Sequence, residues 1–207
     1  MKSILPLLLA ASATVLASSA AASDASLHNQ QAARKRMSTT TTTSTATATT
    51  TATTSTGATL DARLTCNLPN FQQEMLERVN QARAAGRSCG TTYHGPAPAL
   101  AWNANLFNAA GAHSTDMAAN NYFSHTSLDG RNAGQRITGA GYAWRAYGEN
   151  IAAGQTSVQS VVDGWLASPG HCANIMNANL VDIGAACVAS STSNYRTYWT
   201  MDLARPY

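Results

Sequence analysis

From Ser38 to Thr59 the chain is almost entirely threonine, serine and alanine. Such a stretch has no apolar period and too little hydrophobic surface to offset the entropy of ordering it, so it cannot form part of a packed core. It divides the 207 residues into a leader, a spacer and one folded unit, and it confines the fold to the residues on its C-terminal side. Dense threonine and serine in an exported chain also suggests O-glycosylation, with an unmodified spacer as the alternative. Ahead of the spacer, Met1-Lys2, the short apolar run Ile4 to Leu16 and the small residues Ala17 to Ser23 read as a secretory signal peptide cut near Ala20 or Ala22. That run is shorter than the roughly 20 apolar residues a membrane span needs, and no other segment is long and apolar enough. Arg34-Lys35-Arg36 closes the leader as a candidate dibasic processing site. The expected organisation is therefore a signal peptide at 1–22, a leader and Thr-rich linker at 23–65, and a domain at 66–207.

Charge acquires meaning only when it is divided along the chain. Of 13 bases and 10 acids, four bases and one acid precede residue 37, which leaves nine of each and no lysine beyond it. A neutral domain without a Lys/Arg cluster lacks the electrostatic footprint that supplies most nucleic-acid affinity, and the same reasoning opposes anchoring on an anionic membrane.

All four cysteines, Cys66, Cys89, Cys172 and Cys187, fall after the linker. An even number in an oxidising compartment points to two disulfides among three possible connectivities. Local pairing, Cys66 with Cys89 and Cys172 with Cys187, is the expectation. The first bond would require both flanks to fold back along a helix over about 70–84, roughly 22 Å long, which extended flanks can just cover. A catalytic pairing of Cys172 with the adjacent His171 is disfavoured, because neighbours in sequence seldom set a thiolate against the next imidazole.

Phe71, Met75, Leu76 and Val79 recur at helical spacing up to Gly86, and a longer helix follows over about 103–120 with Leu106, Ala110 and Met117 on its apolar stripe. His113 sits within that stripe. Arg131 to Thr138 can form a short helix, and Val158, Val161, Val162, Trp165 and Leu166 describe another, stopped by Pro169-Gly170. The tail changes period: 181–189 and 195–203 read as two antiparallel strands. Helices followed by strands imply an α+β layered fold.

Among residues that could carry chemistry, His113 is either a satisfied core group or a ligand. Glu149, in an otherwise uncharged segment, is either a helix or turn cap or a carboxylate facing a polar cavity. His171 follows Ser168-Pro169-Gly170, and two histidines with a carboxylate are the ligand set of many zinc sites. His125 reads as a residue that stabilises a turn.

Taken together, Ala112-His113-Ser114-Thr115-Asp116-Met117-Ala118, Tyr122-Phe123-Ser124-His125 with Asp129-Gly130-Arg131, Gly148-Glu149-Asn150-Ile151-Ala152, and Trp165 to His171 with Asn174-Ile175-Met176 resemble the CAP superfamily of cysteine-rich secretory, antigen 5 and pathogenesis-related proteins, in the shorter SCP-like type common in bacteria. The resemblance, from about Phe71 to Leu203, implies an α-β-α sandwich with a central cleft presenting two histidines and two acids, which in some members bind a divalent metal. Carried over, His113 and His171 match the histidines and Glu149 one acid, while Ser168 replaces the other. Losing that carboxylate weakens any affinity for zinc or another divalent cation. The family's Gly-His-Tyr-Thr-Gln pattern is also altered, to Gly170-His171-Cys172-Ala173-Asn174. The functional expectation is a secreted, non-enzymatic binding protein whose partner is a lipid or sterol, or an extracellular protein on a host or competitor surface. The alternative is a metal-dependent hydrolase or protease with Glu149 as general base.

Overall fold

The computed structural model describes residues 60–207. The expected signal peptide, the candidate dibasic site and the Thr-rich run lie outside the described residues. The described part opens on a 3-10 turn, Ala62–Leu64, capped by the Asp61 carboxylate accepting from the Arg63 amide. Leu60 and Leu64 pack on the core, so the folded unit takes in the last residues that sequence reading assigned to the linker.

Among the described residues, five helices flank a four-stranded sheet. Helix α1 (Phe71–Ala85) turns Phe71, Met75, Val79 and Arg83 inward at successive fourth positions and stops at Gly86, where φ is +64°. A hairpin of β1 (Arg87–Cys89) and β2 (Thr92–His94) follows, then the short β3 (Ala101–Trp102). Helix α2 (Ala104–Asn120) starts where the Asn103 side chain accepts from the amides of Asn105 and Leu106. Helix α3 (Ala133–Gly139) and helix α4 (Val158–Ala167) each open on a capping box, Asn132 with Gln135 and Ser157 with Ser160. Between them runs β4 (Trp144–Ala153), and after them β5 (Asp182–Ala189) and β6 (Thr197–Pro206).

The strand order is β3-β5-β6-β4, with β3 parallel to β5 and the other pairings antiparallel. Every residue of β6 from Thr197 to Ala204 is buried, because the strand is covered on both faces. Trp199, Met201 and Leu203 face the core shared with α1 and α4, where Trp199 stacks on Phe71. Tyr198 and Ala204 pack with residues of α2, and Thr200 accepts the Ser114 hydroxyl of the same helix. The three layers form an α-β-α sandwich, the expected α+β architecture.

Besides the 3-10 turn and the short strands β1, β2 and β3, two longer elements escaped the sequence reading. Pro169-Gly170 does end α4, but a new helix, α5 (Pro169–Met176), begins at once with the proline in its first turn, where a fixed φ and a missing N–H cost nothing. Strand β4 was hidden because Gly148, Glu149 and Asn150 are poor strand formers and its centre is buried on both faces, so no alternation shows.

The expected local disulfides are incorrect. Cys66 is bonded to Cys187, and Cys89 to Cys172, with Cα separations of 5.2 and 5.4 Å. Thr65 makes a parallel bridge to Cys187 on β5, which brings Cys66 against that strand instead of back along α1. The unanticipated α5 carries Cys172 inward to the end of β1, where it meets Cys89.

Helix α2 lies directly on β5 at Gly184. A Cβ there would stand 2.1 Å from the Phe107 nitrogen and 2.3 Å from the Leu106 carbonyl carbon, both backbone atoms that cannot move aside. Gly184→Ala is expected to destabilise the domain by about 3 kcal/mol by forcing helix and sheet apart. Urea denaturation followed by circular dichroism measures it, and an unchanged midpoint would contradict so close an approach.

A His/Glu cleft between β4 and the loop after α2

Glu149 stands mid-strand on β4 with its side chain 3% exposed. Its two oxygens are both engaged: Oε2 accepts from Arg136 Nη2 at 2.5 Å, and Oε1 accepts from His125 Nδ1 at 2.7 Å. Arg136, on α3, also donates to the carbonyls of His125 and Arg131 and to the Ser127 hydroxyl, at 3.0, 2.9 and 3.0 Å. One guanidinium thereby holds the 124–131 loop against the sheet. Because Nδ1 of His125 donates to the carboxylate, Nε2 is left as a free acceptor on an imidazole that is 56% exposed. Burial pushes the Glu149 carboxyl up, but the His125 hydrogen bond and the Arg136 charge outweigh it and leave it below the usual range.

The structure brings His125 and His171 to one open groove and withdraws His113 into the core. The groove, of about 650 Å³, is lined by Phe123, His125, Gln155, Trp165, His171 and Tyr195, together with Ile151 to Ala153 of β4. His171 occupies the first turn of α5, and its carbonyl accepts from the Asn150 amide at 3.0 Å. Burial lowers the His171 imidazole first, and repulsion from the protonated form of His125 lowers it further. His113, 1% exposed, donates Nε2–H to the Ser124 carbonyl at 2.9 Å and sets Nδ1 toward the Ser127 hydroxyl at 3.4 Å. Burial lowers it as well, against an opposing pull from Glu149. Ser168 caps the junction of α4 and α5 and does not line the groove.

Zinc or another divalent cation, which the resemblance implied for His113, Glu149 and His171, does not fit these residues as arranged. Glu149 has no free oxygen and His113 spends one nitrogen as a donor to a carbonyl. Among the described residues no three His, Cys, Asp or Glu side chains are grouped to hold a metal ion.

Sequence reasoning passed over two charged residues beside the site and demoted a third. Arg136 lay in the predicted short helix as an unremarkable base, and His125 was read as a turn residue. Asp202, directly across from Glu149 on β6, is 1% exposed with neither oxygen hydrogen-bonded within the protein. Burial, and then the Glu149 charge, push it well above the usual carboxylate range, which favours its neutral form. Its signal in the sequence was an acid inside the apolar run Trp199 to Ala204.

These groups predict opposing pH slopes. The lowered His113, His171 and Glu149 bind fewer protons folded than unfolded, so their stabilisation is complete above the ordinary values of 6.5 and 4.5 and is lost as pH falls. Asp202 binds more protons folded, so its contribution is present below 3.8 and is lost as pH rises through its folded value. Asp202→Asn, which copies the neutral acid, is expected to raise the urea midpoint relative to wild type at pH 8 and to lose that advantage near pH 4. An advantage that does not change with pH would mean that Asp202 is ionised in the native state.

Residues 76–203 match the model of the cysteine-rich secretory protein family, CAP. Over 87 residues the chain is 38% identical to the uncharacterized protein YkwD of Bacillus subtilis, covering 42% of this chain and 34% of that one. Over 85 residues it is 35% identical to the uncharacterized membrane protein YlbC of the same organism, covering 41% and 25%. The matched stretch thus spans about a third and a quarter of these two relatives. An extracellular Bacillus anthracis protein containing an SCP domain superposes with a TM-score of 0.53 at 29% identity, over 64% of this chain and 39% of that one. An outer surface protein of Borrelia burgdorferi shares the fold at 19% identity, TM-score 0.55, over 72% and 97%. With the family model covering most of the folded unit and the sandwich in place, the chain belongs to the CAP superfamily of cysteine-rich secretory proteins.

Proposed function

We propose that the protein is secreted and acts as a non-enzymatic binding protein, taking in its His125/His171 groove either a lipid or sterol or an exposed group of a host or competitor surface. The observation that carries this reading is the groove itself, an apolar-walled concavity of about 650 Å³ with aromatic side chains at its rim and two imidazoles within, the usual make-up of a ligand site. Export is supported by the signal-like leader, by two disulfides and by the extracellular relative with an SCP domain; no helix among the described residues is long and apolar enough to cross a membrane. The hydrolase alternative needs Glu149 as a general base, and a carboxylate with both oxygens hydrogen-bonded and its pKa lowered is poorly suited to take a proton.

Gly164 on α4 lines the groove, and a Cβ added there meets nothing within 4 Å. Gly164→Leu should therefore narrow the groove while leaving the melting temperature unchanged or slightly raised, since leucine favours the helix over glycine. Wild type is expected to be retained by phosphatidylcholine–cholesterol vesicles or by intact microbial cells, and the variant by neither. Zinc-dependent cleavage of labelled casein that His125→Ala abolishes, with no retention on either surface, would overturn the reading in favour of the hydrolase.

A further inference from the structure

The groove's walls narrow the chemistry of its occupant. Phe123 and Tyr195 are 46% and 45% exposed, and their ring centroids lie 6.0 Å apart at its mouth. Both are fixed. Tyr195 meets buried Tyr198 edge-on at 5.8 Å, and its carbonyl accepts from the Ser193 hydroxyl, while the neighbouring loop residue, Asn194, donates its amide to Asn121 Oδ1 at the end of α2. The planes of Phe123 and Tyr195 are tilted by 56°, so the two rings, open to water beside a concavity, form an angled aromatic pair on which a flat apolar face can stack against one ring and edge onto the other.

Beside them His125 offers an acceptor. The Glu149 carboxylate fixes His125 with its Nε2 lone pair toward the groove. Gln155 also lines the groove, with its carboxamide oxygen buried from solvent and its backbone carbonyl taken by Thr197 and Trp199. Among the described residues, no Lys, Arg, Asp or Glu side chain lines the groove, since Glu149 is sealed beneath it. A phospholipid headgroup or a fatty-acid carboxylate finds no cation here, and a sterol brings a single hydroxyl. A ring with one apolar C–H face and several hydroxyl donors suits both the aromatic pair and the His125 acceptor. We infer that the groove is a carbohydrate subsite, in which a pyranose ring of a neutral extracellular glycan packs against Phe123 and Tyr195 and His125 Nε2 accepts from one of its hydroxyls. This rests on the groove being the binding site and specifies its ligand class.

The test titrates the full-length secreted chain with cellotetraose, chitotetraose and mannotetraose by calorimetry and by tryptophan fluorescence, since Trp165 lines the groove. At least one sugar is expected to bind saturably, with Phe123→Ala and Tyr195→Ala each weakening it by about tenfold at an unchanged melting temperature. Binding of phosphatidylcholine–cholesterol vesicles but of none of the sugars, abolished by Gly164→Leu, would overturn the carbohydrate inference and leave the groove as the binding site. Sugar binding that survives Gly164→Leu and both aromatic variants, or no binding of any probe, would overturn the inference and the groove reading together.

Discussion

Arg83→Ala is expected to cost about 3–5 kcal/mol, enough to leave a domain of this size marginal. Arg83 is fully buried, and its guanidinium is spent on main chain instead of on a carboxylate. It donates to four carbonyls: Nε to Pro98 at 2.7 Å, Nη1 to Ile175 at 2.6 Å and Asn177 at 3.0 Å, and Nη2 to Leu180 at 3.1 Å. The Ile175 and Asn177 carbonyls sit at the end of α5, where the helix dipole presents its negative pole to the cation. Truncation leaves a cavity and several buried acceptors unpaired, in three segments that one side chain now ties together. Arg83→Lys keeps the charge but not the planar fork, and should recover less than half of the loss. Urea titration of the three proteins at equal slope is the measurement. A loss below about 1 kcal/mol for the alanine variant would mean that water or neighbouring groups already satisfy those carbonyls.

Reduction is the second large effect. The bonds join residues 121 and 83 positions apart, and loop-closure entropy gives an upper figure of about 4–5 kcal/mol for each. Engineered and natural disulfides usually deliver less, so a combined loss of about 5 kcal/mol and a fall in Tm of about 10–20 °C are expected. Cys66→Ser/Cys187→Ser and Cys89→Ser/Cys172→Ser should each reproduce about half of it. Non-reducing peptide mapping should find Cys66 linked to Cys187 and Cys89 to Cys172; peptides joining Cys66 to Cys89 would restore the local connectivity and contradict the sheet-edge bridge at Thr65.

Local pattern carried much of the architecture. Four of the five helices and the two C-terminal strands follow from apolar spacing, caps and glycine stops, because those signals act within a few residues. What was illegible depends on partners far along the chain. The disulfides are decided by which strand lies beside Cys66 and by a helix that starts on a proline, neither of which appears as periodicity. At the site, the motif containing Glu149 was visible, yet its neighbours were not. Whether His113 or His125 shares a cleft with His171 depends on how the loop after α2 folds back over the sheet, and that is fixed by Arg136, eleven residues beyond His125. Asp202 was masked for the same reason: its significance lies in the residue across the ladder, Glu149, fifty-three positions earlier.

The attachment of Cys66 to β5 also sets how the domain meets mechanical load. Strand β5 is interior, flanked by β3 and β6, and the polypeptide reaches it through a covalent sulfur bridge before α1 begins. A pull on the chain ahead of Cys66 therefore passes into the middle of the sheet, and α1 lies outside the force path. The helix cannot be unwound turn by turn from its N-terminal end while that bond is intact. Under drag the oxidised protein yields only when ladders on both sides of β5 give way together, whereas the reduced protein has a free end from which to unravel.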